Sequence, residues 1–408
     1  MQNLRWLAVV FFLLTGSLNA EHWPAWRGPT GQGHSSEKDT LVEWSDTENV
    51  KWKIPLAHQG NSTPVVWGDK IFLTQADKDG KTRSLICFAR GDGQLLWQKD
   101  VTYDAKERNW NPNWYANASP MTDGERVVVS FGSAGVHCYD FEGKDLWKRT
   151  DLGTWEHAFG NAASPVIYKD VVFQWCGPND KGRNFLIAMN KKTGETVWEH
   201  DEKNGSWGTP IITSVKGQDQ LLLATVPHLK ALEPDSGKEL WKCEGLNKYV
   251  YTSPLESNGF AVAMAGYTGA GFAVKLGGSG DITADRLWLH PVNAQRVGSG
   301  CIVGDHVYIV EDNGVPHCYE LATGEEVWKV AKRPGGGNTW GSMVHADGRL
   351  YVLMRNGSTL VFNASPKYEL LATNELGKGE QTNSSVVISN GDIFIRTFKH
   401  LYCLRKAK

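Results

Sequence analysis

The sequence predicts an all-β fold: an eight-bladed β-propeller of four-stranded blades whose last blade is closed by the N-terminal strand. Two markers that recur in phase, about every 45 residues, predict it. The first is a Gly followed shortly by an apolar residue and Trp. It reads Gly-Gln-Leu-Leu-Trp97, Gly-Lys-Asp-Leu-Trp147, Gly-Glu-Thr-Val-Trp198, Gly-Lys-Glu-Leu-Trp241 and Gly-Glu-Glu-Val-Trp328. Looser copies end at Trp52 and Trp288, and an eighth, Tyr368-Glu369-Leu370-Leu371, lacks the Trp. The second marker is a small residue and Pro ahead of an apolar pair. Its copies are Ser62-Thr63-Pro64-Val65, Ala118-Ser119-Pro120-Met121, Ala163-Ser164-Pro165-Val166, Gly208-Thr209-Pro210-Ile211 and Thr252-Ser253-Pro254-Leu255. Three copies have lost the Pro: Ser299-Gly300-Cys301-Ile302, Gly341-Ser342-Met343-Val344 and Asn383-Ser384-Ser385-Val386.

Each element of a blade follows from what lies between the markers. Gly/Asp turns such as Gly68-Asp69 and Gly304-Asp305 separate short β-branched runs, which is hairpin chemistry. A third strand carries a shared small position: Cys87, Cys138, Cys318 and Cys403, with Ala188, Ala231 and Val274 in other units. These thiols therefore read as small buried side chains and not as a disulfide framework. The seven Trp in phase on outer strands read as wedges between adjacent blades. The chain stops on a third strand, Leu401 to Leu404, and starts its repeats on a Trp strand at Trp52. The N-terminal strand then supplies the missing fourth strand of the last blade and leaves no open edge.

The first residues read differently. Arg5 precedes an apolar run from Trp6 to Leu14 that is too short to span a bilayer. A small residue, Ala20, ends the segment, as in a secretory signal peptide. The expected division is a signal peptide at 1–20, an N-terminal extension at 21–49 and the propeller at 50–408. The chain has 408 residues and a formal charge of −2, so it offers no basic field to a nucleic acid. An exported, periplasmic or secreted monomer with no membrane span is expected.

Blades that end in Gly-Glu-x-x-Trp and begin with Ser-Pro-Val resemble the quinoprotein-type repeat, named for the pyrroloquinoline quinone (PQQ) dehydrogenases. The repeats are also similar to those of the outer-membrane barrel-assembly lipoprotein. The start Trp23-Pro24-Ala25-Trp26-Arg27-Gly28-Pro29 resembles the opening of a group of exported propellers of this type. The resemblance implies the fold over residues 22–405 and leaves two functional classes. One is a non-catalytic scaffold that binds a protein, peptide or polysaccharide and needs no cofactor. The other is a PQQ-dependent dehydrogenase of alcohols or sugars, which would need the quinone, a calcium ion, an Asp base and usually a disulfide between adjacent cysteines. No two Cys are adjacent here, and Glu107, Glu156 and Glu380 are not spaced as a calcium set.

The residues that run into each inner strand line one mouth of the central channel, the default place for a ligand. Asn61, Trp114, Tyr115, Asn117, His157, Asn161, Trp207, Tyr251, Arg296, Asn338, Trp340 and Gln381 are the expected ligand-binding set. Arg296 is its one fixed positive charge. An insertion rich in aromatics, Thr102 to Tyr115, lengthens one step to 56 residues between Pro64 and Pro120, against 45 between Pro120 and Pro165. It reads as a lid over the mouth or as a packed flap. No metal site is expected, and no Gly-x-Ser-x-Gly or His-Glu-x-x-His motif occurs. Glu156-His157 is the remaining acid–base candidate.

Overall fold

The computed structural model describes residues 22–110, 113–294, 296–335 and 337–407. The expected signal peptide at 1–20 lies outside them. Eight sheets follow one another along the chain, with two 3-10 turns as the helical content of the described residues. Blade 1 shows the plan: Val65–Trp67, Lys70–Ala76, Thr82–Ala89 and Leu95–Thr102 pair in that order, each antiparallel to the next. The two middle strands are buried almost throughout because a neighbouring blade covers each of their faces. The outermost strand alternates between exposed and half-buried residues. The eighth sheet pairs Val387–Ser389, Asp392–Arg396 and His400–Leu404 with Val50–Pro55, and Trp52 stands opposite Cys403. An ion pair between the first and last blades, Arg90 to Asp392 at 3.1 Å, ties the same seam from inside.

The Gly and the Trp of the first marker act on one another across the blade boundary. Trp97 donates its indole N–H to the Phe141 carbonyl of the next blade at 3.0 Å, and Trp147 does the same to Lys191 at 2.8 Å. Each ring lies flat on the next blade's turn glycine. A Cβ on Gly143 would sit 2.8 Å from the Trp97 ring, and one on Gly194 would sit 2.7 Å from Trp147. These glycines also hold φ near +80°, which only glycine adopts cheaply. Inside each blade the Trp faces the small third-strand position: Cys87 opposite Trp97, Cys138 opposite Trp147, Ala188 opposite Trp198. In blade 5 that residue is Ala273 and not Val274, because the bulge that follows the Trp partner in every such pair falls one residue earlier than the sequence suggests. All seven cysteines are free and buried, and burial pushes the thiols of Cys87, Cys138 and Cys318 up to about 12.

Trp241 departs from this rule for a visible reason. None of the glycines in the next blade's turn, Gly277, Gly278 and Gly280, presents its Cα face to the Trp241 ring, and the indole donates to Gln220 of its own blade at 2.9 Å. The longer turn instead adds Gly280–Asp281 as a short parallel strand beside Trp241. Blade 6 is three-stranded, and its Trp328 segment attaches through the Val327 N–H to the Cys318 carbonyl at 2.7 Å.

The second marker builds a belt around the channel. The backbone N–H of Thr63 donates to the Ser119 hydroxyl, Ser119 to Ser164, and Ser164 to Thr209, at 2.8–3.0 Å. Ser253, Ser299, Ser342 and Ser385 continue it, and Ser385 returns to Thr63 at 3.1 Å. Seven of the eight links are made. The eighth would join Thr209 to Ser253, whose buried hydroxyl has no partner. The belt corrects two of the Pro-less markers by one residue: Ser299 and Ser385, not Gly300 and Ser384, match Thr63. Every inner strand starts two residues after its belt hydroxyl.

The extension is a structural part of the ring. It crosses the face where the inner strands end. Trp23 pairs with Val66 in blade 1, the Pro24 carbonyl accepts from Thr122 in blade 2, and Gln32 accepts from Glu256 in blade 5. Gly33 and Ser35 pair with His345 in blade 7, and Glu37 accepts from Gly391 in blade 8. Arg27 is fully buried and donates to the carbonyls of Gly31, Gln32 and Gly300. His34 meets His345 through their Nδ1 atoms at 3.1 Å, and burial pulls its pKa down to about 4, helped by the charges of His345 and Arg27.

Two outcomes are expected. Gly143→Ala should cost about 2–4 kcal/mol in denaturant unfolding, from the left-handed φ and from the displaced Trp97 ring. Gly68→Ala, with φ of 55° and nothing within 4 Å, should lose only the conformational part, about 1–2 kcal/mol. Secondly, between the ordinary His value of 6.5 and about pH 4 the unfolded chain takes up a proton that folded His34 refuses. Stability is therefore whole above pH 6.5 and falls as pH drops towards 4. The melting temperature should fall from pH 7 to pH 4.5, and should fall less in His34→Gln.

Candidate functional site

The belt also positions the site. Two residues before each belt hydroxyl, one side chain per blade faces the channel. In blade order these are Asn61, Asn117, Ala162, Trp207, Tyr251, Val297, Trp340 and Asn383, and all of them line one cavity of about 440 Å³. One arc of the wall is amide. Asn383 donates to Asn61 at 3.1 Å, Asn61 to Asn117 at 2.7 Å, and Asn117 to the Asn161 carbonyl at 2.9 Å. The other arc is aromatic, with Trp207 and Tyr251 at a ring separation of 5.0 Å and Trp340 further round. Trp26 reaches into the cavity from the extension, which crosses that face of the ring. Trp207 is held by its N–H to the Gly160 carbonyl at 2.9 Å.

The insertion resolves into two parts. Its flank is a packed flap: buried Glu107 pairs with Arg83 and accepts from the Ser133 N–H, and Tyr103 and Tyr115 cover the Arg83 guanidinium. Its tip reaches the cavity through Trp110 and Asn113. Asn111 and Pro112 lie outside the described residues.

Six of the twelve expected residues therefore line the cavity: Asn61, Asn117, Asn161, Trp207, Tyr251 and Trp340. The other six do not, and each has a position that explains it. Arg296 stands one residue before the wall position Val297, and the alternation of extended chain turns it away from the channel. It is buried at 2% exposure near Tyr319 and Glu311, and burial lowers its pKa. Trp114 packs edge-on against Phe398, and Tyr115 lies on Gly80 and Arg83. Asn338 and Gln381 each stand four residues ahead of a belt hydroxyl and are exposed to solvent. His157 is buried against Trp207, at 4.7 Å between rings, and faces a second cavity with Asp180 at 3.6 Å. Glu156 pairs with Lys181 instead, so Glu156 and His157 form no acid–base couple. Asn161, one residue off the wall register, still reaches the cavity beside the small Ala162.

Among the wall residues outside the expected set, four lie in segments that the repeat does not cover or in a hairpin tip. Trp26 lies in the extension, outside any repeat, and Trp110 and Asn113 lie in the insertion. Tyr267 sits on a hairpin tip between the second and third strands of blade 5. A strict register of two residues before each belt hydroxyl finds eight wall residues, among them Ala162, Val297 and Asn383, which the expected set lacked.

With this geometry in hand, the comparisons place the chain. The family described as outer membrane protein assembly factor BamB matches residues 33–174, 81–330 and 229–366. The chain belongs to that family. No curated protein matches the sequence. Among solved structures, BamB from Moraxella catarrhalis is 15% identical with a TM-score of 0.62, covering 86% of this chain and 96% of that one. A europium-containing methanol dehydrogenase is 12% identical with a TM-score of 0.67, covering 92% and 89%. The quinohemoprotein alcohol dehydrogenase from Comamonas testosteroni is 13% identical, also at 0.67, covering 95% and 81%. At these identities the likeness is one of fold.

The dehydrogenase likeness makes the quinone a fair test of the wall. A carboxylate-bearing quinone with its calcium ion needs cationic and carboxylate side chains at the cavity. No wall side chain carries a charge. Among the described residues, no three His, Cys, Asp or Glu side chains gather as a metal set. The residues of this wall do not fit that group.

Proposed function

We propose that this protein is an exported, non-catalytic binding or assembly scaffold that holds its partner in the channel mouth. One observation carries the reading: the cavity presents amides, aromatic rings and hydroxyls on a rigid ring, the Ser164, Thr209 and Ser385 hydroxyls are held by the neighbouring blades, and no acid, base or thiol lines it to activate them. The family to which the chain belongs is described by an assembly role at the outer membrane, which favours a binding function in an exported protein. The extension crosses one face of the ring and puts Trp26 in the cavity, which favours approach of a partner from the opposite face.

The test is a titration of the purified protein with PQQ, with and without calcium, followed by Trp fluorescence, beside a melting-temperature screen of soluble peptides and oligosaccharides. The binding reading expects no saturable quenching by the quinone. It also expects at least one screened ligand to raise the melting temperature of the native protein and not of Trp340→Ala. Saturable, calcium-dependent quenching, followed by dye-linked alcohol oxidation, would overturn it in favour of the dehydrogenase.

A further inference from the structure

Resting on that binding reading, we infer that the ligand is a neutral oligosaccharide, and that its chain runs from the channel across Trp207 and Tyr267 into an adjoining outer groove. The groove is a second cavity, of about 640 Å³, over blades 3 to 5. Trp207 and Tyr267 line both cavities, so the two are neighbouring compartments of one cleft with an aromatic ridge between them. Asn179, Asn184, Asn204 and Asn247 repeat in the groove the amide chemistry of the channel wall, beside Asp180, Lys203 and Lys248, charges of both signs that stand exposed to solvent.

The ridge is built outward at some cost. Tyr267 and Thr268 hold φ of 52° and 62°, a left-handed pair that β-hairpin tips ordinarily give to Asn and Gly. The bare backbone of Gly266 lies against the Tyr251 ring, where a Cβ would come within 2.1 Å. The hairpin is thus fixed to the wall, and Tyr267 stands 48% exposed above it. Trp110 at 55% and Tyr249 at 42% continue the exposed aromatic rim. Large apolar side chains left open beside a cavity mark a place where something lands.

The chemistry of what lands is narrow. Flat ring faces receive the C–H faces of a sugar, and planar amides offer paired donors and acceptors to neighbouring hydroxyls. Among the described residues the hydroxyls of Tyr251 and Tyr267 and the Asn161 amide have no protein partner, so they remain available. A charged sugar would find no counter-charge on the channel wall, and in the groove it would meet charges of both signs, Asp180 against Lys203 and Lys248, so neither compartment selects an ionic ligand. A peptide added as a strand needs free backbone donors along the channel, and at the belt seven of those eight are taken by hydroxyls.

Calorimetric titration of the protein with cello-, xylo-, manno- and chito-oligosaccharides, from disaccharide to hexasaccharide, tests this. At least one series should bind with an affinity that climbs with chain length. Trp207→Phe should weaken every length about tenfold, which is about 1.4 kcal/mol. Tyr267→Asn, which suits the left-handed turn, should remove the gain of the longest chains alone. Unchanged melting temperatures will show that both variants fold. Affinity independent of length would overturn the two-compartment ligand. Tighter binding of uronic-acid oligomers would overturn its neutrality. Binding of extended peptides and of no oligosaccharide would sink the ligand class while leaving the binding reading intact, and binding of neither would sink both.

Discussion

The hydroxyl belt is the constraint on which the rest of this molecule depends. One backbone N–H from each blade must find an acceptor at the crowded place where eight inner strands converge. A buried donor left unmet costs about 1–3 kcal/mol, whereas each bond made contributes about 0.5–1.5 kcal/mol. Supplying the acceptor from the neighbouring blade turns that local need into a link between blades, so Ser or Thr is held at this point in all eight. The link then sets the phase of everything around it. Two residues onward the inner strand begins, and two residues back a side chain enters the channel. Fold and recognition are therefore written on separate positions of one short segment. The hydroxyl is invariant among the blades, while the wall runs through Asn, Ala, Trp, Tyr and Val.

That separation explains what could be read from the sequence. The Trp and Gly of the first marker form a contact between blades, so both recur wherever the contact recurs, and the blade count follows from them. Where no turn glycine meets the ring, as after Trp241, the structure improvises, and the sequence shows that only as a looser copy. The wall was half legible because inward and outward positions alternate. Arg296 and Val297 are adjacent, yet only one faces the channel, and without a Pro the belt hydroxyl beside them was placed one residue late. Trp26 and Tyr267 carry no periodic signal at all. Each reaches the cavity through a segment that belongs to no repeat or to the far end of a hairpin.

Charge is handled by the same division. The buried cations are set between blades or under the extension: Arg83 against Glu107, Arg90 against Asp392, and Arg27 among backbone carbonyls. Arg396 is enclosed with only Ser62 as partner, and burial lowers its pKa to about 9. None of them faces the channel. The channel is left neutral, and its selectivity falls to shape, ring faces and amides.

The composite blade has a consequence in time. Val50–Pro55 leaves the ribosome long before its partner, His400–Leu404, which is made seven blades later. Until then the outermost strand of the last sheet has nothing to pair with, and the first blade lacks the neighbour whose Asp392 meets Arg90. The extension has the same problem, since its anchors lie in blades made early and in blades made last. Ring closure thus waits until the last blade has been made, paced by contacts between segments far apart in sequence. A chain cut before His400 would lose more than one strand: it would be an arc with two raw edges, one in its first blade and one in its last.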